Sequence, residues 1–478
     1  MAVDVSDPLF WVDRLSQRLM ARQSKYTRNF NYAIGNHPVP NGDKRYARVL
    51  RELQQKAITN YVGLADKAVT EVMSPLGIRF GNSDELDPEA VDIWAANNMS
   101  LQSITAIKEA CRLGDTYAMV SPPEEEGGFP VITIEDPRCC IVEPDPINPL
   151  RSLAGLKFYE DSILGVIIAV LYMPDFTYVY EGPAIRDFIT RENSGQPSIV
   201  AEGPGAFTLV SVSPNPIGKV QLIRGNWQPE YGVMGMAECE DGGYEIQDRI
   251  NLTVLHRLTI SRSQAFRQRW VTGMRVPKTV NGKGGPKTSP FKPMDDEVWA
   301  VQDEKARFGD FEQADLRQLL EAVRDDVGDF AALTQTPVTY LTNKLINVSA
   351  DTMAAAQVGL SGKIKSRKQS MGWFFEEIMK MCFRYMGSSK ADEIIAETVW
   401  EDHEAHSMAE VSDMISKLLA AGIPMKPTLE YADIFSESQI ELAVEEAEKA
   451  KLQEQEMAQK QLDVKAQAAQ KPINNSSG

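Results

Sequence analysis

The residues of this chain that could do chemistry are few and irregularly spaced. The segment NGKGGPKTS, Asn281 to Ser289, has the glycines and lysines of a phosphate-binding loop. Such a loop needs a glycine directly before its lysine and a helix after it, whereas Pro286 precedes Lys287 and further prolines follow. The segment therefore indicates a basic surface loop and not a nucleotide site.

The remaining candidates for a catalytic or metal centre are equally incomplete. In DHEAH, His403 and His406 are three residues apart, but a third zinc ligand and the HExxH spacing are missing. The five cysteines are odd in number and contain no CxxC pair, which favours buried reduced thiols over a disulfide framework or zinc. Neither GxSxG nor GxGxxG occurs. We expect a protein that is not an enzyme and that holds no cofactor and no metal.

Two helical stretches of opposite charge are the most distinctive feature. GYEIQDRINLTVLHRLTISRSQAFRQRWVTG, residues 243–273, repeats apolar residues on one helical face, which predicts a helix from Glu245 to Trp270. Its arginines are Arg249, Arg257, Arg262, Arg267 and Arg269. A second predicted helix, ended by Pro337, carries the acids Glu321, Asp325, Asp326 and Asp329. Adjacent acids such as these usually form a solvated helix face.

Charge and hydropathy limit the partners of the chain. The 478 residues carry a net charge of −17, and from Ser388 onward eight Lys+Arg face eighteen Asp+Glu. Tight binding to nucleic acid requires clustered cations, so this protein could enclose DNA without gripping it. The longest apolar run, Leu164 to Met173, is too short to span a bilayer. The N-terminus lacks the pattern of a secretory signal, and we expect a soluble protein.

The order of predicted elements is helices first and strands after. Residues 6–114 read as helices, with Ser6 as the first N-cap and a hinge at Asn97–Asn98. Short alternating runs follow up to residue 242, which indicates an α+β domain with a mainly antiparallel sheet. A module with a predicted strand at 296–304 separates the two charged helices. A loop from residue 337, a very long helix from Ala350 to Met386, and acidic helices complete the chain.

This order, together with three local stretches, resembles the portal proteins of tailed double-stranded-DNA bacteriophages of the long-tailed siphovirus type. The stretches are WAANNMSLQSITAIKEACRLGDTYAMV (94–120), residues 232–273 and residues 319–369. The resemblance implies an α+β portal fold with a helical and β wing, a two-helix stem, a small α/β clip and a helical crown. The implied boundaries are 1–242 wing, 243–268 first stem helix, 269–313 clip, 314–334 second stem helix, 335–350 tunnel loop, 351–387 long wing helix, 388–452 crown and 453–478 disordered tail.

The resemblance also implies a function. Portals form a homo-oligomeric ring, usually of twelve subunits, at one capsid vertex, and double-stranded DNA is packaged and later ejected through it. The implied partners are the terminase large subunit, then the head–tail adaptor, together with the major capsid protein and scaffolding protein, and no membrane. The implied location is the virion, after assembly in the cytoplasm of the bacterial host. The missing ATP site agrees with this, because the motor is a separate protein in such systems.

Site residues follow from the implied parts. In the tunnel loop, Asn343, Lys344 and Asn347 are predicted to face DNA, and an ordinary helix connector is the alternative. In the clip, Lys283, Lys287 and Lys292 are predicted to contact the motor, the adaptor or DNA, and a solvated loop is the alternative.

A closed ring also needs two complementary faces on every subunit. We expect the basic and the acidic helix to supply one such contact between subunits. The residues predicted to make it are Arg257, Arg262, Asp325, Asp326 and Asp329. Two other functions stay open at this point. The chain could be another head or connector structural protein, or a nucleic-acid-processing packaging enzyme, although the Walker A motif or carboxylate cluster of such an enzyme is not seen.

Overall fold

The structure, a computed structural model, divides the chain into two units, residues 1–401 and 402–478. It describes residues 7–38, 47–81, 83, 85–184, 189–191, 197–199, 207–229, 235–265, 269–273, 305, 307–310, 315–342, 350–401, 408–432, 440, 442–447 and 449. Both helices and strands are extensive in the first unit, which confirms the α+β class.

Nine helices are described in the first unit, and the second unit has two with defined ends together with the helical residues 440, 442–447 and 449. Those of the first are α1 (Pro8–Ile34), α2 (Ala47–Ala57), α3 (Tyr61–Thr70), α4 (Pro88–Ala96), α5 (Met99–Leu113), α6 (Gly243–Ala265), α7 (Leu316–Leu333), α8 (Val338–Leu341) and α9 (Ala350–Tyr385). A 3-10 turn, Ser389–Asp392, follows α9. The second unit contains α10 (Met408–Ala420) and α11 (Met425–Ala432).

The described strands form antiparallel sheets. The strands are β1 (Pro75–Phe80), β2 (Asp115–Ser121), β3 (Val131–Glu135), β4 (Cys140–Pro144), β5 (Ser152–Asp161), β6 (Val166–Tyr172), β7 (Phe176–Ala184), β8 (Ile189–Arg191), β9 (Pro197–Ile199), β10 (Thr208–Pro214), β11 (Leu222–Asn226), β12 (Arg269–Thr272), β13 (Arg307–Asp310) and β14 (Ala396–Trp400). The largest sheet has the order β10-β7-β6-β5-β4, a second has the order β11-β2-β3, and three pairs are β1-β14, β12-β13 and β8-β9.

The long apolar run of the sequence is the centre of the largest sheet. β6 is buried along almost its whole length, as expected for a run too short to span a membrane. One face of this sheet packs against α1, where Trp11, Leu15 and Leu19 contact side chains such as Leu156 and Leu171. Among the described helices, none is both long enough and apolar enough to cross a membrane.

The long helix α9 is the centre of the other large core. It was predicted from Ala350 to Met386 and is observed as one helix, Ala350–Tyr385. Its Phe374, Phe375 and Phe383 are fully or almost fully buried, and they pack with α4, α5 and the strands β1, β2 and β11. The predicted hinge at Asn97–Asn98 is confirmed, since Asn98 has φ 48 between α4 and α5.

Several predicted boundaries are wrong, each for a local reason. The N-cap of α1 is Asp7 and not Ser6, because the Asp7 carboxylate accepts from the Leu9 N–H at 2.9 Å. The first charged helix ends at Ala265, not at Trp270. Residues 269–272 are instead β12, paired from Arg269↔Asp310 to Thr272↔Arg307. Trp270, Val271 and Thr272 are aromatic or β-branched residues, which favour a strand.

The other boundary changes concern single turns. The amphipathic run YARVLRELQQKAITNYVGLADKAVTEVM, which predicts one helix, forms two helices, because Asn60 starts a new one by accepting the Gly63 N–H at 2.8 Å. α7 ends at Leu333, before Pro337, and Gln335 adopts the left-handed region with φ 49. Part of the loop predicted after Pro337 is the short helix α8. The strand predicted at 296–304 lies outside the described residues.

Candidate functional site

The two oppositely charged helices lie side by side, as an antiparallel pair. The start of α6 is close to the end of α7, since a Cβ on Gly243 would lie 3.5 Å from Phe330 and 3.7 Å from Thr334. The strands β12 and β13, which follow α6 and precede α7, pair with each other. Ile250 and Val254 of α6 share one apolar cluster with Phe330. The pair therefore brackets the module between residues 269 and 310.

The ion pair between these helices uses an arginine that the sequence did not single out. Arg249 Nε lies 2.7 Å from Asp326 Oδ1, and Arg249 Nη2 lies 2.9 Å from Asp329 Oδ2. Two of the three predicted acids thus hold an arginine within the same chain. Asp325 is exposed on the same helix. Since Arg249 is half exposed, this pair contributes at most about 1 kcal/mol to stability.

The two arginines that the sequence predicts to contact a neighbour, Arg257 and Arg262, act electrostatically on other elements of the chain. The Arg257 charge acts on Tyr61 at the start of α3, where it opposes the rise that burial imposes on the pKa of the phenol. The Arg262 charge acts on Glu52 of α2, whose pKa is lowered mainly by its hydrogen bond with Lys56. Within the described part of the chain, Arg257 makes no ion pair with an acid of α7. Their contact with a neighbouring subunit stays a prediction.

Two buried polar residues fix α6 onto the N-terminal helices. Gln247 and Asn251 are fully buried and one turn apart. Gln247 Oε1 accepts from the Tyr61 N–H at 2.8 Å, which satisfies a free donor at the start of α3. Asn251 Oδ1 accepts from the backbone N–H and the hydroxyl of Thr59, both at 3.0 Å. These bonds set both the position and the rotation of α6.

His37 completes this anchorage. Its Nε2 lies 3.0 Å from the Tyr32 carbonyl oxygen, and its Nδ1 lies 3.0 Å from Asn251 Nδ2. A neutral imidazole that donates from Nε2 and accepts at Nδ1 satisfies both contacts. Burial lowers the pKa of His37, in keeping with that neutral form. The Tyr32 ring stacks on His37 and on Tyr244, the second residue of α6.

The turn that leads into α6, residues 235–242, has no room for a side chain at its start. A Cβ on Gly235 would lie 1.9 Å from the Gly114 carbonyl oxygen, and one on Gly114 would lie 2.3 Å from the Gly235 oxygen. Gly114 also has φ 92. The Gly235 N–H donates to Asp115 Oδ1 at 3.1 Å. Backbone contact therefore locks this turn against the junction of α5 and β2.

An ionic cluster inside the protein links this turn to α7 and α9. Lys363 Nζ lies 2.8 Å from Glu238 Oε1, with side chains that are 4% and 1% exposed. Lys363 also donates to the Thr334 carbonyl oxygen at 2.6 Å. Glu238 Oε2 accepts from Trp227 Nε1 at 2.7 Å and from Arg367 Nε at 3.2 Å. We call these five residues the buried joint.

The buried joint explains how one lysine connects three elements. Lys363 lies in α9, Thr334 is the C-cap residue of α7, and Glu238 precedes α6. The ammonium group thus neutralises a buried carboxylate and satisfies a carbonyl at the end of α7, where the helix dipole is negative. Movement of α9 along its axis would break contacts to the end of α7 and to the turn that leads into α6.

Several predicted site residues lie outside the described residues. These are Asn343, Lys344 and Asn347 of the predicted tunnel loop, and Lys283, Lys287 and Lys292 of the predicted clip. His403 and His406, for which the sequence predicts no zinc site, also lie outside the described residues. Within the described part of the chain, no group of three His, Cys, Asp or Glu side chains is placed to hold a metal ion. All five cysteines are free thiols, and four are buried.

Sequence reasoning missed the residues that anchor the pair. Gln247 and Asn251 are spaced i, i+4 and flank Ile250, so a polar pair beside the apolar stripe was the available signal. Lys363 and Glu238 gave no such signal, because charged residues are mostly exposed and the turn that holds Glu238 contacts α9 across more than a hundred residues.

Comparison with known proteins identifies similar chains. A model of the phage portal protein family, SPP1 Gp6-like, matches residues 13–461. The portal protein of Mycobacterium phage D29 is 23% identical over an alignment of 385 residues that covers 77% of this chain and 75% of that protein. The portal protein of Mycobacterium phage L5 is 24% identical over an alignment of 384 residues that covers 78% of this chain and 75% of that protein.

One solved structure is also similar. A chain from the virion of a native gene transfer agent particle matches 88% of this chain and 98% of its own length, at 10% identity and a TM-score of 0.39. The match to the family model, which spans most of the chain, is the stronger result.

Proposed function

Since this chain belongs to the SPP1 Gp6-like family of phage portal proteins, we propose that it forms a ring at the capsid vertex and conducts double-stranded DNA. The family match over residues 13–461 is the observation that carries this proposal. The chain is a portal protein and an oligomeric component of the virion, and the family is structural and not enzymatic. A ring of twelve, assembly in the host cytoplasm, and docking of the terminase large subunit, the head–tail adaptor, the capsid protein and scaffolding protein belong to the proposal.

The paired helices support the proposed division into parts. α6 and α7 correspond to the stem, and residues 269–313, entered by β12 and left by β13, to the clip. α9 corresponds to the long wing helix, and residues 335–350 to the tunnel loop. The proposed wing is 1–242 and the proposed crown is 388–452. The predicted tail, 453–478, lies outside the described residues. The wing and α9 share the core described above, so these two parts are proposed to move together.

The proposed contact with DNA is transient. The net charge of −17 repels phosphates, which prevents the tight binding that would stall translocation. We assign Asn343, Lys344 and Asn347 to the channel and Lys283, Lys287 and Lys292 to the clip surface. Replacing Lys344 with Ala should reduce the DNA packaged or retained per head, measured by quantifying protected DNA. Lys365→Ala, an exposed lysine of α9, is the control. If both variants package and retain equal amounts of DNA, Lys344 does not contact DNA in the channel.

The proposed contact between subunits is sharpened by the ion pair inside the chain. Arg249 already occupies Asp326 and Asp329, so Asp325 becomes the principal acid of α7 for a neighbour's Arg257 and Arg262. Exposed apolar side chains on the same two helices, Leu252 at 38% and Leu320 at 37%, add surface that a neighbour would cover. Exposed ion pairs are weak, so such apolar contact must supply most of the affinity.

Charge reversal tests this contact. Asp325→Arg and Arg257→Glu should each reduce the fraction of chains in rings, measured by mass photometry, and the double variant should restore it. Arg249→Glu serves as the control. Arg249 pairs with acids of its own chain, so adding Asp325→Arg to Arg249→Glu should not restore ring formation. Failure of the first rescue, or success of the second, would contradict the assignment.

The portal role itself is tested in the phage. Infection with phage that lack this chain should give heads without packaged DNA, and supplying the chain in trans should restore full particles. Full, infectious particles made without the chain would overturn the proposal.

A further inference from the structure

A second acid lies beside the buried joint and has no cation of its own. Asp66, in the middle of α3, is 6% exposed. Its Oδ1 lies 3.6 Å from the Cys111 thiol, and its Oδ2 has no hydrogen-bond partner. A buried carboxylate with one weak donor is costly, because a charge removed from water needs a partner or a proton. The neutral acid is far better suited to this position.

The surroundings of Asp66 explain why the proton is retained. The groups that act on it are Cys111 and Arg112 of α5, Glu238 of the turn before α6, and Lys363 of α9. The Asp66 carboxylate in turn helps to raise the pKa of Cys239 in the same turn and of Tyr244 in α6. Burial comes first and the Glu238 carboxylate second in raising the pKa of Asp66 to about 7, while Arg112, Cys111 and Lys363 oppose them. Lys363 is already bonded to Glu238 and Thr334, and Arg112 lies 3.9 Å from Glu109, so both cations have other partners.

We propose that Asp66 is a proton-controlled latch: while its carboxyl is protonated, α3 packs closed against the buried joint, and loss of the proton favours an open state in which water reaches that carboxyl. Opening also exposes Cys111, whose thiol touches Asp66, and it loosens the contacts of Lys363 with Glu238 and Thr334. Because the buried joint connects α9 to the end of α7 and to the turn before α6, the latch sets how firmly the proposed stem is attached.

The sign and size of the effect follow from proton linkage. The closed state holds the proton up to about pH 7, and an Asp exposed to water in the open state loses it near pH 4. The equilibrium constant for opening should therefore increase about tenfold from pH 5.5 to 6.5 and level off above about pH 8. Acid closes the latch, and neutral to alkaline pH opens it.

Hydrogen exchange of the assembled protein tests the latch. Peptides from α3 and from α9 around Lys363 should show this pH dependence after correction for the intrinsic exchange rate. Peptides from β5 and β6 should not, because the described residues of those strands pack in other clusters. Asp66→Asn should remove the pH dependence in α3 and α9, whereas Asp92→Asn, an exposed acid of α4, should leave it intact. The same pH dependence in Asp66→Asn would overturn the proposal.

A second measurement needs no variant. A thiol reagent labels Cys111 and the buried Cys382 of the natural chain at rates that both depend on the ionisation of a thiol. Dividing the Cys111 rate by the Cys382 rate cancels that common dependence on pH. This ratio should increase between pH 5.5 and 7.5, and a flat ratio would contradict the latch. Neither experiment measures ring formation or DNA conduction, so the latch and the proposed function can fail independently.

Discussion

Replacing Lys363 with Met should destabilise the first unit more than any other substitution of a single lysine in α9. The variant keeps the volume of the side chain but leaves Glu238 Oε1 without its donor. The Thr334 carbonyl loses its short bond from Lys363 and keeps only the Thr336 hydroxyl, at 3.3 Å. Breaking a buried ion pair by removing one partner costs about 3–5 kcal/mol. Arg367 and Trp227 still contact Glu238 Oε2, so we expect the lower part of this range.

The expected shift in melting temperature follows from the size of the unit. With an unfolding entropy of about 2.1 cal/mol/K per residue, the unit of residues 1–401 changes by about 0.8 kcal/mol per degree. A loss of 3–5 kcal/mol then lowers Tm by about 4–6 °C, measured by scanning calorimetry. Lys365→Met, two residues further along the same helix and exposed, is the matched control and should change Tm by less than about 1 °C.

A double variant separates lost charge from lost packing. Glu238→Gln combined with Lys363→Met removes both charges, and replacing a whole buried pair is often close to neutral. We therefore expect the double variant to be more stable than Lys363→Met alone. A Tm of Lys363→Met equal to that of the Lys365 control would refute the reasoning that the buried joint holds α9 to the charged pair.

Three further predictions concern the backbone and His37. Gly235→Ala should sharply reduce the yield of folded protein, because its Cβ would meet the Gly114 carbonyl at 1.9 Å; normal yield and Tm would contradict this contact. Gly362→Ala should instead raise the Tm by about 1 °C, because this helical glycine is exposed with open space around it and Ala stabilises a helix by about 1 kcal/mol relative to Gly. A lower Tm would show that another group packs against this glycine. Burial lowers the pKa of His37, so the stability that its neutral form supplies is complete above about pH 6.5 and is lost as the pH falls below it. His37→Gln should flatten the His37 part of the stability profile in urea between pH 7 and 5, and an unchanged profile would contradict the role of the neutral ring.

Local patterns in the sequence were sufficient to predict much of the fold. The period of apolar residues placed α6, α7 and α9 within a few residues of their observed ends, because amphipathic helices bury one face. The alternating runs between residues 115 and 226 are strands, as predicted. The end of α6 was predicted too late, because the pairing of β12 with β13 depends on a strand almost forty residues away.

The anchorage of the charged pair could not be read from the sequence. Opposite charge on α6 and α7 suggested an ion pair, but periodicity does not give the relative rotation and offset of two helices. Gln247 and Asn251 fix that rotation, and Arg249 is the arginine that reaches Asp326. The burial of Asp66 and Glu238 could not be predicted either, since nothing local indicates that α3, α5, α9 and a turn meet around them.

The most direct test of the proposed portal function is electron microscopy of the purified full-length chain. We predict closed rings of identical subunits with a central hole wide enough for double-stranded DNA in averaged particle images. Images that show only monomers, or open filaments, at the concentrations found in infected cells would contradict it.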